Sequence, residues 1–268
     1  MKNEEEKGGK LRQGIQSIEA GTRLLRTLAG HNRAMMLKDL AKGSGMAPAK
    51  AHRYLVSYIR SGLIAQDPVS GRYDLGPFAL ELGLASLARL DIVRLADPII
   101  ERLCEDIEET VALTVWGNMG PTVIRLSEPA TTITVTLRAG AVLPLTNSAS
   151  GRAYVAFNRT PAVRKQYEAE MKLAAKERGV SIPKLHEELD PLISEFRNQG
   201  LARASGSLTP GINGFAAPIY DFTGNMVGSV TTLGSVGHFD DAWFSPLAEK
   251  IKIAATEISR LLGHNVGE

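Results

Sequence analysis

The chain has 268 residues, 44% of them hydrophobic and 22% charged, with a formal net charge of +2. That is ordinary soluble composition with length for two domains, and no apolar run approaches the roughly 18 residues of a membrane span. The single cysteine, Cys104, excludes an internal disulfide and a cysteine-based zinc cluster, and the charged start MKNEEEKGGK lacks a signal-peptide core, so a cytoplasmic protein is predicted.

Charge is spread unevenly. Residues 10–76 hold 11 Lys/Arg against 4 Asp/Glu, whereas residues 77–268 hold 18 against 22. A basic excess confined to one segment points to nucleic acid there, and the acidic remainder argues against a second such surface.

Residues 1–14 read as a flexible N-terminal arm. Arg12 and Gln13 lie where an arm could reach a DNA minor groove, or they belong to a plain tail. Ile18, Leu24, Leu25 and Leu28 predict a helix over 16–29, ended by Gly30. A second helix follows over 37–44 with Leu37, Leu40 and Ala41 at core spacing, and Gly43 and Gly45 permit a sharp exit. Pro48 opens a third helix, where its missing N–H costs little, and Gly62 ends it. Ala51, Leu55, Tyr58 and Ile59 form its apolar stripe. Ala49, Lys50, Arg53, Ser57 and Arg60 fall on the opposite side, where Lys and Arg can meet phosphates or guanine edges. Residues 63–65 and 72–75 then read as strands around the turn residues Asp67-Pro68 and Ser70-Gly71. A helix–turn–helix with a basic second helix and a wing is a DNA-reading device; a small helical domain with a solvated basic face shares the spacing.

The run PAKAHRYLVSYIRSGLIAQDPVSGRYDLGPFALELG resembles the DNA-binding end of the IclR family of bacterial transcriptional regulators. The groups His52-Arg53-x-Leu55, Ser61-Gly62-Leu63 and Arg72-Tyr73-x-Leu75-Gly76 carry the resemblance. It implies a winged helix-turn-helix domain over 15–76, with Ala49, Lys50, His52, Arg53, Ser57 and Arg72 at the DNA.

Residues 77–96 read as one helix with little polar surface. Phe78, Leu80, Leu82, Leu84, Leu87 and Leu90 spread around more than one face, which must be covered on several sides. Spacing leaves open whether the cover is the same chain or a second copy. The resemblance implies a dimer-forming linker, and two modules on a two-fold axis read a palindromic operator. Pro98 predicts the start of a helix over 98–109, with Ile99, Ile100, Leu103 and Ile107 inward and Cys104 a buried structural thiol. Strands are predicted over 111–116, 122–128 and 131–139, the last alternating threonine with aliphatic residues. In LPLTNSASGRAYVAF, residues 143–157, Ser148, Ala149, Ser150 and Gly151 precede a helix. Its free N–H groups favour an anion or carbonyl, or Ser148 or Ser150 simply caps it. Charged, peripheral helices follow to 178 and to 200, with Asp190-Pro191 a candidate break. Strands over 214–220 and 226–233 are joined by a turn at 221–225. The last helix, 245–262, turns Ile251, Ala254, Ala255, Ile258 and Leu262 inward. Grouped strands with helices between distant pairs predict an α+β or α/β sandwich with an antiparallel sheet.

LPLTNSASGRAYVAF and GINGFAAPIYDFTGNMVGSVTTLG resemble the effector-binding domain of the same family, so the resemblance covers nearly the whole chain. It implies a GAF-like α/β domain over 97–268 whose curved antiparallel sheet cups a small molecule. The lining carried over is Val135, Leu143, Ser148, Ala149, Ser150, Gly151, Ile212, Gly214, Thr231 and Leu233. Trp116 is added from its own position on the first strand, beside the alternative of a plain core tryptophan. Relatives that bind small oxo-acids place an aspartate and a cysteine near positions held here by Ala204 and Gly214. A less polar pocket is expected, for an organic acid or aromatic metabolite whose carboxylate sits on the N–H groups of 149–151.

No catalytic constellation stands out. The histidines His31, His52, His186, His238 and His264 are unpaired in spacing, and Ser150-Gly151 lies outside a G-x-S-x-G elbow. His238 with Asp240 and Asp241 reads as a solvated loop. No catalytic residue, cofactor or metal is expected. The predicted function is sequence-specific transcriptional regulation, as a repressor of a catabolic operon controlled by a small-molecule effector. Double-stranded operator DNA is the expected partner of a homodimer or tetramer, without a membrane. Two rivals are a DNA-binding head fused to an uncharacterised enzyme domain, and a protein-interaction module.

Overall fold

The computed structural model describes residues 14–31, 33–130 and 137–264. They divide into two units between Arg89 and Leu90. The first contains α1 (Gln16–Ala29), α2 (Leu37–Gly43), α3 (Pro48–Arg60), the hairpin β1 (Ile64–Gln66) and β2 (Tyr73–Leu75), and α4 (Pro77–Leu87). Leu24 and Leu28 of α1, Leu40 and Ala41 of α2, Ala51 and Leu55 of α3, and Ile64 and Tyr73 of the wing share one core. Burying each large aliphatic contributes about 1.5–3 kcal/mol, more than the ~1 kcal/mol of a cap, so the apolar stripes set how the helices sit.

Two expected core residues are exposed instead, Ile18 at 64% and Ile59 at 37%. The buried arc of α1 passes through Ala20, Gly21, Leu24 and Leu28, and Ile18 lies beyond its edge. In α3 Tyr54 and Tyr58 complete the packed side in place of Ile59. A Cβ at Gly21 would overlap the Tyr58 hydroxyl, so glycine permits this close approach of α1 and α3. Gly45, at φ +65°, makes the turn between α2 and α3. Tyr73 exchanges backbone hydrogen bonds with Met35 (2.8 and 2.9 Å), tying the wing to the segment before α2.

The second unit runs α5 (Ile92–Ile107), β3 (Thr110–Gly117), β4 (Gly120–Ser127), α6 (Ala149–Phe157), α7 (Pro161–Arg178), α8 (Ile182–Gln199), β5 (Ala202–Ser205), β6 (Ile212–Tyr220), β7 (Met226–Ser235) and α9 (Pro246–Leu261). Its five strands form one antiparallel sheet in the order β4-β3-β7-β6-β5. Phe215, Ala217, Ile219 and Val230 pack on α5 and α9. On the other face α6 lies over Ala216, backed by Phe196 of α8. Register shifts at Leu113/Thr114 and Ile219/Tyr220 bend the strands.

The stretch 77–96, expected as one linker helix, is two helical segments. α4 stops at Leu87, and Asp91 opens α5 by accepting the Val93 and Arg94 amides on its Oδ1 (2.9 and 3.3 Å). Pro98, expected as a helix start, sits inside α5, and Pro191, the candidate break, sits inside α8. A proline forfeits its own hydrogen bond, and burial of Ile99, Ile100 and Leu103 carries α5 through it. β5 was not foreseen: its sequence, ARAS, has weak strand propensity, and pairing with β6 holds it extended. Of the strand expected over 131–139, residues 131–136 lie outside the described residues, and 137–139 are not in a strand. Arg12, Gln13 and Val135 also lie outside them. Cys104 is free and buried in the α5 face. Among the described residues no helix is long and apolar enough to cross a membrane.

Candidate functional site

Burial of Ala51 and Leu55 turns the opposite side of α3 outward. Ala49, Lys50, His52, Arg53, Ser57 and Arg60 are all exposed there. Among the described residues Lys50, Arg53 and Arg60 form no ion pair, so their charges are available to an anionic partner. Arg72 is aimed elsewhere. Its guanidinium donates to the Ala34 carbonyl (3.3 Å) and lines a 440 Å³ cleft with His31, Arg33, Asp39 and Lys42. This second basic group escaped the sequence reading because three separate segments supply it. At the wing tip the Asp67 carboxylate accepts the Val69 and Ser70 amides (2.8 and 2.7 Å), which hold its pKa below the usual carboxylate value.

Several residues of the expected effector lining lie near one another at one end of the sheet. Ser150 Oγ is 2.8 Å from Thr231 Oγ1, joining α6 to β7. A Cβ at Gly214 would press on the Leu233 side chain and Thr232 carbonyl, and would touch Ala149, so these positions face one another. Ile212 lies two residues from Gly214 on β6, and Leu143 is buried with Ala112 and Val123. Ser148 is a cap: its Oγ accepts the Gly151 amide (2.9 Å) and donates to the Pro144 carbonyl (2.6 Å). Of the three amides expected to hold a carboxylate, that of Gly151 is therefore taken. Gly151 itself packs against the Pro144 carbonyl, where a Cβ would overlap it. Trp116 stands apart. It lies four residues beyond Ala112, the β3 partner of Thr231, or about 14 Å along the strand. Its ring packs on Tyr154 at 5.4 Å, a core contact.

Two buried hydroxyls missed by the sequence reading join the Ser150–Thr231 link. Thr114 Oγ1 is 2.6 Å from Ser229 Oγ, which is 3.4 Å from Thr231 Oγ1. With Ser150 they form a row of four fully buried hydroxyls between sheet and helix. The signal was present as polar residues at alternate, inward positions of TVALTVW and GSVTTLG.

Residues 17–68 match the IclR helix-turn-helix domain, and residues 84–260 match the C-terminal domain of the bacterial transcriptional regulator IclR. The chain belongs to the IclR family of bacterial transcriptional regulators. It is 30% identical to the glycerol operon regulatory protein of Streptomyces coelicolor, across 94% of this chain and 98% of that protein. It is 23% identical to the transcriptional repressor IclR of Escherichia coli, across 93% and 90%. The crystal structure of Pseudomonas aeruginosa HmgR is similar with a TM-score of 0.84 at 32% identity, covering 94% of this chain and all of that one. The chain is thus a transcriptional regulator with a DNA-binding head and a C-terminal effector domain, and its relatives are regulators rather than enzymes.

Within this IclR fold the two positions where oxo-acid-binding relatives are expected to carry aspartate and cysteine are neighbours. Ala204 of β5 pairs directly with Gly214 of β6. Both are small and neither carries a polar side chain, which leaves the hydroxyl row as the buried polar feature at this end of the sheet.

Proposed function

We propose that this IclR-family regulator binds a double-stranded DNA operator through the outward side of α3 and represses a catabolic operon in the cytoplasm. Ala49, Lys50, His52, Arg53 and Ser57 read bases and phosphates, and Arg72 meets a flanking phosphate with the basic cleft around Lys42. The observation that carries this reading is the α3 row itself: exposed cations that form no ion pair among the described residues, opposite a fully buried Ala51 and Leu55.

The operator-bound form is a homodimer or a tetramer. α4 buries none of its residues within the chain, and Leu80, Leu82 and Leu84 are exposed on it, which fits a helix covered by a second copy. The effector is an organic acid or aromatic metabolite held between Leu143, Ser148, Ala149 and Ser150 on one side and Ile212, Gly214, Thr231 and Leu233 on the other. A carboxylate or carbonyl end meets the Ala149 and Ser150 amides and the hydroxyl row. Control requires the effector to prefer one of two arrangements of the dimer.

Footprinting of the promoter region beside the gene, with purified protein across a salt series, tests the reading. A protected palindrome whose affinity falls steeply with salt is expected. Salt-independent binding, or none, would transfer the head to a protein partner.

A further inference from the structure

α6 and α7 each hold a partly buried charge, Arg152 and Glu170, that enters no ion pair among the described residues. Arg152 of α6 donates through Nε to the Thr146 carbonyl (3.0 Å) and through one terminal nitrogen to the Arg203 carbonyl (2.8 Å). Glu170 of α7 accepts the Leu145 amide on Oε2 (2.7 Å) and is also hydrogen-bonded by the Thr146 amide and the Gln166 side chain. Both side chains line one cleft of 590 Å³ among α6, α7 and α8, yet neither is bonded to the other. Among the described residues neither enters an ion pair. Burial lowers the pKa of Arg152, helped by the like charge of Arg203, and burial raises that of Glu170 against its hydrogen bonds. In the same cleft the Asn147 Oδ1 is buried and accepts no hydrogen bond among the described residues. Met171, Leu185 and Leu189 supply an apolar wall.

We propose that this cleft is a second ligand site, distinct from the effector cup, for a free α-amino acid with an apolar side chain. The carboxylate meets the unused N–H groups of Arg152. The ammonium meets Glu170 and Asn147 Oδ1, and the side chain lies on the Met171–Leu185–Leu189 wall. A guanidinium and a carboxylate held apart by backbone bonds match the two ends of one zwitterion. A plain carboxylate would face Glu170 and the rim acids Glu177 and Glu188, whereas a plain amine would face Arg152 and Arg178. Arg178 and Glu188 pair with each other across the rim (2.9 Å), which leaves the inner two charges for the ligand. None of the cup residues lines this cleft. The connection between the two sites is the 145–146 backbone, gripped by Arg152 and Glu170 just ahead of the Ser148 cap.

Calorimetric titration of the full-length protein with L-leucine, 4-methylpentanoate and 3-methylbutylamine tests this. Leucine is expected to bind saturably, with each half-ligand at least about tenfold weaker. Glu170→Gln should narrow the preference for leucine over 4-methylpentanoate, and Arg152→Lys should weaken leucine itself. Leu189→Trp, which fills the cleft and leaves both charged residues in place, should abolish binding; it keeps the test decisive if an Arg152 variant fails to fold. Ser150→Leu, in the cup, should leave leucine binding unchanged. No saturable binding into the millimolar range, equal affinity for the half-ligands, or loss of leucine in Ser150→Leu but not in Leu189→Trp would each overturn the proposal.

Discussion

Ser150 Oγ and Thr231 Oγ1, 2.8 Å apart, form a buried side-chain link between the first turn of α6 and the central strand of the sheet. Both residues are buried. Thr231→Val should therefore cost about 1–3 kcal/mol, because Ser150 loses its partner in a buried site. Adding Ser150→Ala should recover part of that loss, since both polar groups are then gone. Urea unfolding of the two single variants and the double variant checks this, and strictly additive losses would contradict a direct bond.

Gly151 lies against the backbone of the segment leading into α6, where a Cβ would overlap the Pro144 carbonyl. Backbone cannot swing away as a flexible side chain can. Gly151→Ala should destabilise the second unit by about 1–3 kcal/mol, read as a lower unfolding midpoint at unchanged denaturant dependence.

The Glu170 carboxyl has its pKa raised by burial, against hydrogen bonds from the Leu145 and Thr146 amides and the Gln166 side chain. The folded state then holds this proton more tightly than the unfolded chain. Stability from this group falls as pH rises from the unfolded to the folded pKa, and stays lost above it. Glu170→Gln carries no charge to desolvate, so it should gain on wild type as pH rises above the ordinary carboxylate range. Paired unfolding curves at each pH measure the difference; one that shrinks with pH would mean that the carboxylate is compensated after all.

Lys50→Ala and Arg53→Ala should each weaken operator binding by about 1–3 kcal/mol if they contact bases, and by a sequence-independent amount if they contact phosphate. Fluorescence anisotropy on operator and scrambled duplexes separates the two. Wild-type affinity in both variants would remove α3 as the reader.

Leu80 is 65% exposed, on a helix that buries nothing of its own. Leu80→Glu with Leu84→Glu should convert the assembly to monomers and sharply reduce operator affinity, by sedimentation and by gel shift. A stable dimer in this variant would place the subunit interface elsewhere.

The sequence by itself determined the elements whose cause is local. Apolar spacing in α1, α3 and α9, Pro48 and Pro161 at helix starts, and the Asp221–Asn225 turn are written within a few residues of where they act. Motifs such as His52-Arg53-x-Leu55 carried the family for the same reason. Where an outcome depended on the width of a buried arc, as at Ile18 and Ile59, periodicity placed a residue on the wrong side of the edge. Only the tertiary structure decided the rest. The bond between Thr114 and Ser229 spans 115 residues, and that between Ser150 and Thr231 spans 81. β5 is a strand because β6 lies beside it, and Arg152 and Glu170 share a cleft only because α6 and α7 pack together. Polar sites of this kind arise from desolvation and contact between distant segments, and neither quantity exists until the chain has folded.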